Sequence, residues 1–213
     1  MAPLEDKLTS LSITFESTYT DYPTFLSYYN GTADPSQPID VGIAQYGGRL
    51  IPRETLLSET ANHDLAAAFR YINEQGGQFI GVGLNVSEAT AGGDIHNSVL
   101  PAWRTASIAT VLTTPWNFSA PWEEMEDRAD LMTEVLLPAI DKVVLDPKCY
   151  LNEGDFQEPN WRSAFYGENY PRLLEIKQKY DPKMMLYATT GVGQEFWEVG
   201  EDYRLCWTGG DGD

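Results

Sequence analysis

The stretch TASIATVLTTPW at residues 105–116 predicts the strand on which the fold of this chain depends. Its β-branched residues and apolar runs are typical of a strand with at least one buried face. The stretches VGIAQYGGRLIP (41–52) and FIGVGLNVS (79–87) have the same character, and Gly47 with Gly48 marks a bulge or turn in the first. We therefore expect these three segments to form a sheet.

Helical segments alternate with the predicted strands. Apolar residues recur at helical spacing within residues 58–77, and further helices are predicted over residues 121–142 and 169–182. This order predicts one domain over residues 1–213 of the α+β class, with an antiparallel or mixed β-sheet and helices packed on one face. The other face would line a pocket or a dimer interface.

The net charge of the chain argues against two classes of binding partner. The 213 residues include 32 acidic and 14 basic side chains, which gives a formal charge of −18. Such a charge repels phosphate backbones and anionic lipid surfaces, so neither nucleic acid nor a membrane is an expected partner. No apolar run is long enough to span a bilayer.

The sequence predicts no metal site and no nucleotide cradle. His63 and His96 form neither a metal-binding nor a triad pattern, and Cys149 and Cys206 match no zinc spacing, although a single bridge between them stays open. No P-loop or dinucleotide fingerprint occurs in the chain. We therefore expect no cofactor to be bound by this chain alone.

The expected location depends on the native start of the chain. If Met1 is that start, the absence of leader features in MAPLEDKLTS predicts a cytoplasmic protein. If a leader or an N-terminal domain has been removed, a secreted protein is expected. Only then would the sequons at Asn30, Asn85 and Asn117 carry glycans.

The candidate chemistry lies in YLNEGDFQEPNW at residues 150–161. In an extended run Tyr150 and Asn152 would project to the same face, where a phenol can take a proton and an amide can orient a carbonyl group. Composition alone favours the alternative that Tyr150 is a core aromatic with a bonded hydroxyl group. Three acids are candidates for tuning Tyr150, namely Glu153, Asp155 and Asp94.

Six motifs occur in an order that resembles a known family. They are RLIPR (49–53), GVGLNVS (81–87), LPAWR (100–104), TPWNFSAPW (114–122), the run from Tyr150 to Pro182, and YATTGVG with WEV (187–199). Together they resemble the C-terminal part of the berberine bridge enzyme-like, FAD-linked oxidases, particularly those of fungal natural-product pathways.

The resemblance implies a substrate-binding domain without the FAD-binding domain of the family. It implies that Tyr150 accepts a proton from the substrate and that Asn152 approaches the isoalloxazine ring as a cofactor-binding residue. FAD would be bound only if a partner domain supplied its main site. The side chains expected to contact the substrate are Arg104, Trp103, Tyr46, Trp116 and Asn85.

Three functions follow from the residues and the resemblance together. The leading hypothesis is a stand-alone, flavin-independent cyclase or isomerase, of the pericyclase or dehydratase type, that acts on a small natural-product substrate. The second is a fragment or subunit that completes an FAD-dependent oxidoreductase with a flavin-domain partner. The third is a non-catalytic binding domain that forms a homodimer.

Overall fold

The computed structural model describes residues 2–32, 44–93, 96–115, 117 and 119–209. The chain divides into two compact units, residues 1–41 and 42–213, and each is described by itself. The first unit holds α1 (Ala2–Ser10) and α2 (Phe25–Thr32). Whether the whole chain acts as one domain stays a prediction.

The second unit is built on a three-stranded antiparallel sheet in the order β1-β3-β2. Its strands are β1 (Ala44–Pro52), β2 (Gln78–Gly83) and β3 (Ala106–Pro115). The stretch that opened the sequence analysis thus forms the central strand, and the predicted α+β class is confirmed. Residues 84–87, which were predicted to continue the second strand, lie beyond its end.

Helices connect and follow these strands. They are α3 (Arg53–Leu57), α4 (Glu59–Glu74), α5 (Glu88–Ala91), α6 (Trp122–Asp130), α7 (Leu137–Asp141) and α8 (Tyr170–Tyr180). A π-helical segment, Leu131–Leu136, joins α6 to α7, so the helix predicted over residues 121–142 is continuous. A hairpin of β4 (Trp197–Val199) and β5 (Leu205–Trp207) follows α8.

The main core lies between one face of the sheet and the helices. Ile51 and Leu112 point from the sheet into this core, where they meet Ile72 of α4 and Met132 and Ile140 of the long helix. All five side chains have zero exposed surface. Each such burial contributes about 1.5–3 kcal/mol, so this layer stabilises the sheet.

Gly47 and Gly48 do not form the predicted bulge. Both lie in the regular register of β1, and the register shifts instead between Ile51 and Pro52. A side chain at Gly47 would collide with Met132 of the long helix, and one at Gly48 would overlap a β3 carbonyl group. The glycines therefore permit close approach rather than a turn.

The opposite side of the sheet, here called the open face, has much less cover. Because side chains alternate along a strand, it carries Tyr46 of β1, Ile80 and Val82 of β2, and Ala109 and Val111 of β3. The exposed fractions of Ile80 and Val82 are 62% and 51%. Apolar side chains in this arrangement are available for a ligand or a partner.

Candidate functional site

The predicted pair Tyr150 and Asn152 is brought together at a turn. Tyr150 has an extended backbone, and Leu151–Glu153 then form a single turn of 3-10 helix rather than the extended run that was assumed. The Asn152 Nδ2 atom donates a hydrogen bond to the Tyr150 hydroxyl oxygen at 2.8 Å. The amide therefore fixes the position of the phenol oxygen.

Tyr150 is not a core residue, so the interpretation that composition favoured is wrong in its placement, although the hydroxyl group is bonded as it predicted. Its side chain is 38% exposed. Trp103, from the 3-10 turn Pro101–Arg104, meets the Tyr150 ring edge to face with the ring centres 5.5 Å apart. Trp103 itself packs against a buried cluster that includes Leu50 and Ala109, which places the phenol beside the covered end of the open face.

A buried ion cluster anchors the loop that follows the turn. The Arg49 guanidinium, 3% exposed, donates from Nε and Nη2 to the two carboxylate oxygens of Asp141 at 2.6 and 2.8 Å. Its Nη1 atom lies 3.0 Å from a carboxylate oxygen of buried Glu158. Burial alone would lower the pKa of Arg49, but the hydrogen bond and charge of Asp141 and the charge of Glu158 raise it above its ordinary value.

Asp155 is a second anchor and not a tuning group for Tyr150. Its carboxylate accepts hydrogen bonds from the Thr133 hydroxyl at 2.6 Å, the Gln157 amide at 3.0 Å and the Gln45 side chain at 3.3 Å. Burial raises the pKa of Asp155, and the hydrogen bonds from Thr133 and Gln157 oppose that rise. Its bonds tie the loop to β1 and the long helix.

Glu153 is the acid that remains beside the catalytic candidates. It ends the turn that carries Asn152, and its amide bonds back to the Tyr150 carbonyl at 3.0 Å. Partial burial raises the pKa of its carboxyl group. The carboxylate has no hydrogen bond or ion pair to any residue that the structure describes. Asp94 lies outside the described residues.

The other residues predicted to contact the substrate lie in different parts of the structure. Tyr46 lies on the open face and is 40% exposed. Arg104 donates from Nη1 to the Val86 carbonyl at 3.0 Å, and the Asn85 side chain accepts from a nearby amide at 3.4 Å, so both have local roles. Trp116 lies outside the described residues. Of this set, Trp103 is in contact with Tyr150.

A large cavity lies next to this turn but does not include it. Its volume is about 1080 Å³, and it lies where β1 ends and β3 begins, lined in part by Leu50, Leu100, Arg104, Lys148 and Ser163. Neither catalytic candidate contributes to its wall. We place the candidate site at the turn because the acid-base groups are there, whereas the cavity is an adjoining volume that reaches Arg104.

A tyrosine clasp holds the segment after α8. The Tyr170 hydroxyl lies 2.6 Å from both carboxylate oxygens of Glu195 and accepts the Gly193 amide at 3.3 Å, while Arg162 approaches Glu195 at 3.3 Å. Burial and the Glu195 hydrogen bond raise the pKa of Tyr170. These contacts fix residues 193–195 to the first residue of α8, and the sequence did not predict them.

Among the described residues, the site shows neither a metal-binding group of side chains nor a disulfide. Within the part of the chain that the structure describes, no group of His, Cys, Asp and Glu side chains is arranged to hold a metal ion. Both cysteines are free, with Cys149 buried and Cys206 exposed. None of the described helices has the length and apolar character needed to cross a membrane.

Comparison with known proteins shows which proteins this chain resembles. The berberine and berberine-like family model matches residues 149–193, which contain Tyr150, Asn152 and Tyr170. The FAD-linked oxidoreductase patO of Aspergillus clavatus is 41% identical over 206 residues, which cover 97% of this chain and 36% of patO. The bifunctional decalin synthase calF of Penicillium decumbens is 33% identical, with 97% and 36% covered.

A solved structure agrees with the sequence comparisons. The VAO-type flavoprotein MtVAO615 of Myceliophthora thermophila matches with a TM-score of 0.82 and 31% identity, over 97% of this chain and 38% of that protein. The chain thus spans little more than a third of the length of these relatives. It corresponds to a C-terminal part of the berberine bridge enzyme-like, VAO-type proteins, as its motifs predicted, and its relatives carry FAD-linked names.

Proposed function

We propose that this chain forms the substrate-facing side of an FAD-linked oxidoreductase site, with Tyr150 as the proton acceptor. The observation that carries the proposal is the 2.8 Å hydrogen bond from Asn152 to the Tyr150 hydroxyl oxygen, on an anchored turn at the open face. The names of the relatives supply the reaction class, because patO is described as an FAD-linked oxidoreductase. The substrate is a small natural product.

The pair is suited to proton transfer. Tyr150 accepts a proton as the phenolate, and the N–H group of Asn152 stabilises the negative oxygen because a hydrogen bond to the charged form favours that form. The edge-to-face contact with Trp103 holds the phenol ring in one orientation. The Arg49 cluster and Asp155 hold the loop behind it, which limits movement of the phenol oxygen during transfer.

The residues fit the ring of a flavin but not its diphosphate. Asn152 has a second N–H group and a carbonyl oxygen without a partner among the described residues, and a flavin ring edge presents complementary carbonyl and N–H groups. The apolar side chains of the open face suit a flat aromatic surface. The sequence has no phosphate cradle. When bound, FAD would accept the two electrons that leave the substrate.

A flavin-independent cyclase is the second candidate. The observation that favours it is the 33% identity to calF, whose name is bifunctional decalin synthase. Cyclisation needs a shaped apolar surface and a few donors, and the open face with Asn152 provides these elements. We rank it second because patO, which is 41% identical to this chain against 33% for calF, has an FAD-linked name.

The two candidates are separated by reconstitution. The purified chain is mixed or co-expressed with the remaining two thirds of patO, and the visible absorbance of flavin and the consumption of oxidisable substrates are followed. We expect flavin-coloured, active protein only with that partner, and Tyr150→Phe should lower the rate about 10²–10⁴-fold. Tyr180→Phe, at a side chain 77% exposed and outside the site, is the matched control.

Two outcomes would contradict the proposal. A reconstituted protein whose Tyr150→Phe variant keeps its full rate would remove the proton acceptor from the mechanism. Conversion of a polyene or quinone-methide substrate by the chain alone, without flavin and dependent on Asn152, would establish the second candidate in its place.

A further inference from the structure

We propose that three polar side chains at one end of the open face select the substrate by binding a neutral, oxygen-bearing group at the end of an apolar body. They are Tyr46, Thr113 and Gln78, here called the polar rung. The inference rests on the proposed function, because that proposal assigns the open face to the substrate. It adds the chemical class of the substrate and the side chains that distinguish it.

The register of the sheet places the three side chains in one line across the strands. Thr113 of β3 is opposite both Tyr46 of β1 and Gln78 of β2. Directly opposed residues of an antiparallel pair project to the same face, with their Cβ atoms about 4.5–5.5 Å apart. Leu112, the neighbour of Thr113, points into the main core, so the polar rung lies on the open face.

The rest of the open face is apolar. Two further lines of residues cross the strands between the polar rung and the end of the sheet where β3 begins, and neither carries a polar side chain. The nearer line is Gly48, Val111 and Ile80, and the farther line is Leu50, Ala109 and Val82. The apolar body of a ligand is suited to these two lines, and the polar rung is the end at which hydrogen bonds are offered.

The turn that carries Tyr150 lies at the apolar end. Trp103, which contacts Tyr150, packs against the buried cluster that includes Leu50. A side chain at Gly48 would begin 3.6 Å from the Glu153 carbonyl oxygen at the end of the same turn. Because a strand rises by about 3.3 Å per residue, the polar rung lies about 13 Å from the line of Leu50 and about 7 Å from that of Gly48. The oxygen-bearing group that it binds is therefore remote from the atom that loses the proton.

The polar rung offers donors and acceptors without any charge. Its phenol and hydroxyl groups each donate and accept, and its amide has both N–H donors and a carbonyl acceptor. None of the three side chains forms a hydrogen bond with a residue that the structure describes. A hydroxyl, ketone or lactone group would find partners here, whereas a carboxylate or phosphate would be desolvated without a cation in the rung. The charge of −18 on the chain also opposes an anion.

The affinity for matched probes tests this selection. The probes are 4-hydroxybiphenyl, 4-methylbiphenyl and biphenyl-4-carboxylate, which share an apolar body and differ in one end group. Methyl NMR shifts of Ile80 and Val82 report binding on the open face, in the chain alone and after reconstitution with the remaining two thirds of patO. We expect the hydroxyl probe to bind about tenfold more tightly than the other two.

Substitutions in the polar rung should change this preference in two directions. Gln78→Leu/Thr113→Val should weaken binding of the hydroxyl probe about tenfold and leave the methyl probe as tight or tighter. Gln78→Arg should strengthen binding of the carboxylate probe about tenfold, a gain that a misfolded variant could not show. Gln178→Leu/Thr189→Val makes the same exchanges at exposed positions outside the sheet and should bind like the wild type.

Three results would overturn the proposal. They are equal or absent binding of the hydroxyl and methyl probes by the wild type, a hydroxyl preference that survives in Gln78→Leu/Thr113→Val, and a preference that disappears when the rest of patO is added. The last would mean that another part of the protein occupies the polar rung. Probe binding needs neither flavin nor the Tyr150 phenolate, so this inference can fail while Tyr150→Phe still lowers the rate. A Tyr150→Phe variant with a full rate would contradict the proposed function and leave the probe preference intact.

Discussion

The two parts of the loop at residues 150–161, a first half at 150–154 and a second half at 155–161, both carry acidic, amide and aromatic side chains but lie in opposite environments. In the first half Tyr150, Leu151 and Asn152 are exposed, and the hydrogen bond between the phenol and the amide is local. In the second half Asp155 and Glu158 are buried, and their partners lie on β1 and the long helix. An acidic residue in this loop is therefore an anchor when it is buried, and a reactive candidate only where it stays accessible.

This difference separates stability from chemistry within a dozen residues. The anchoring half stabilises the fold because each buried charge has a partner of opposite charge or a set of donors. The exposed half contributes little to stability, which leaves its side chains available to a substrate. Substitutions in the two halves should consequently affect different measurements.

The largest effect is expected at the anchor. Arg49→Met removes the shared cation, which leaves Glu158 buried and Asp141 half-buried without it, so the free energy of unfolding should fall by about 3–5 kcal/mol. Urea denaturation measures the change. Arg172→Met, which breaks an exposed pair with Glu175, is the control and should lower it by about 1 kcal/mol or less. Equal losses in the two variants would mean that the Arg49 cluster is no anchor.

The next prediction concerns the reactivity of Cys149, the residue directly before the loop. Burial raises the pKa of the Cys149 thiol to about 12, and nearby carboxylates add to the rise against the opposing charge of Arg49. At mildly alkaline pH the thiol is therefore protonated as well as enclosed, and it should not react. A thiol reagent should modify only Cys206 in the folded protein and both cysteines in denaturant. Rapid modification of a folded Cys206→Ser variant would show that this end of the loop opens.

A smaller, pH-dependent effect is expected after α8. A hydrogen bond from Lys177, followed by the amides of Leu186 and Met185, lowers the pKa of Asp181 from 3.8 to about 2. Because the folded pKa is the lower one, the stabilisation is complete above pH 3.8 and is lost as the pH falls through about 2. Acid unfolding of the wild type and Asp181→Asn should reveal this window, which the variant should lack. A variant that keeps the wild-type acid profile would exclude this contribution.

The smallest effect on stability is expected in the reactive half. Tyr150→Phe removes one hydroxyl group from a side chain that is 38% exposed, so the free energy of unfolding should change by about 0.5 kcal/mol or less. Thermal and urea denaturation measure it beside the rate loss expected under the proposed function. A loss as large as that of Arg49→Met would make the phenol a structural residue and would remove the contrast between the two halves.

The sequence predicted the parts of the fold that depend on local pattern. Alternation predicted β3, and helical spacing predicted α4 and the long helix, because both patterns arise from neighbours in the chain. The same reasoning misplaced the bulge at Gly47 and Gly48. Glycine is needed at these positions because a methionine and a carbonyl group of other elements lie too close for a side chain. Such contacts cannot be predicted from the local sequence.

The sequence by itself determined the class of the fold, the family and the pair Tyr150 and Asn152, because the order of motifs and short spacings can be read directly from the sequence. Only the tertiary structure decided that Arg49 of β1 pairs with Glu158 and so holds the loop at residues 150–161 from behind. It also decided that the Lys148 carbonyl group closes the β1 edge of the sheet by accepting the Leu50 amide. Such facts depend on which distant segments meet when the apolar face of the sheet is buried, and a charge has a defined role only after its partners have been brought to it.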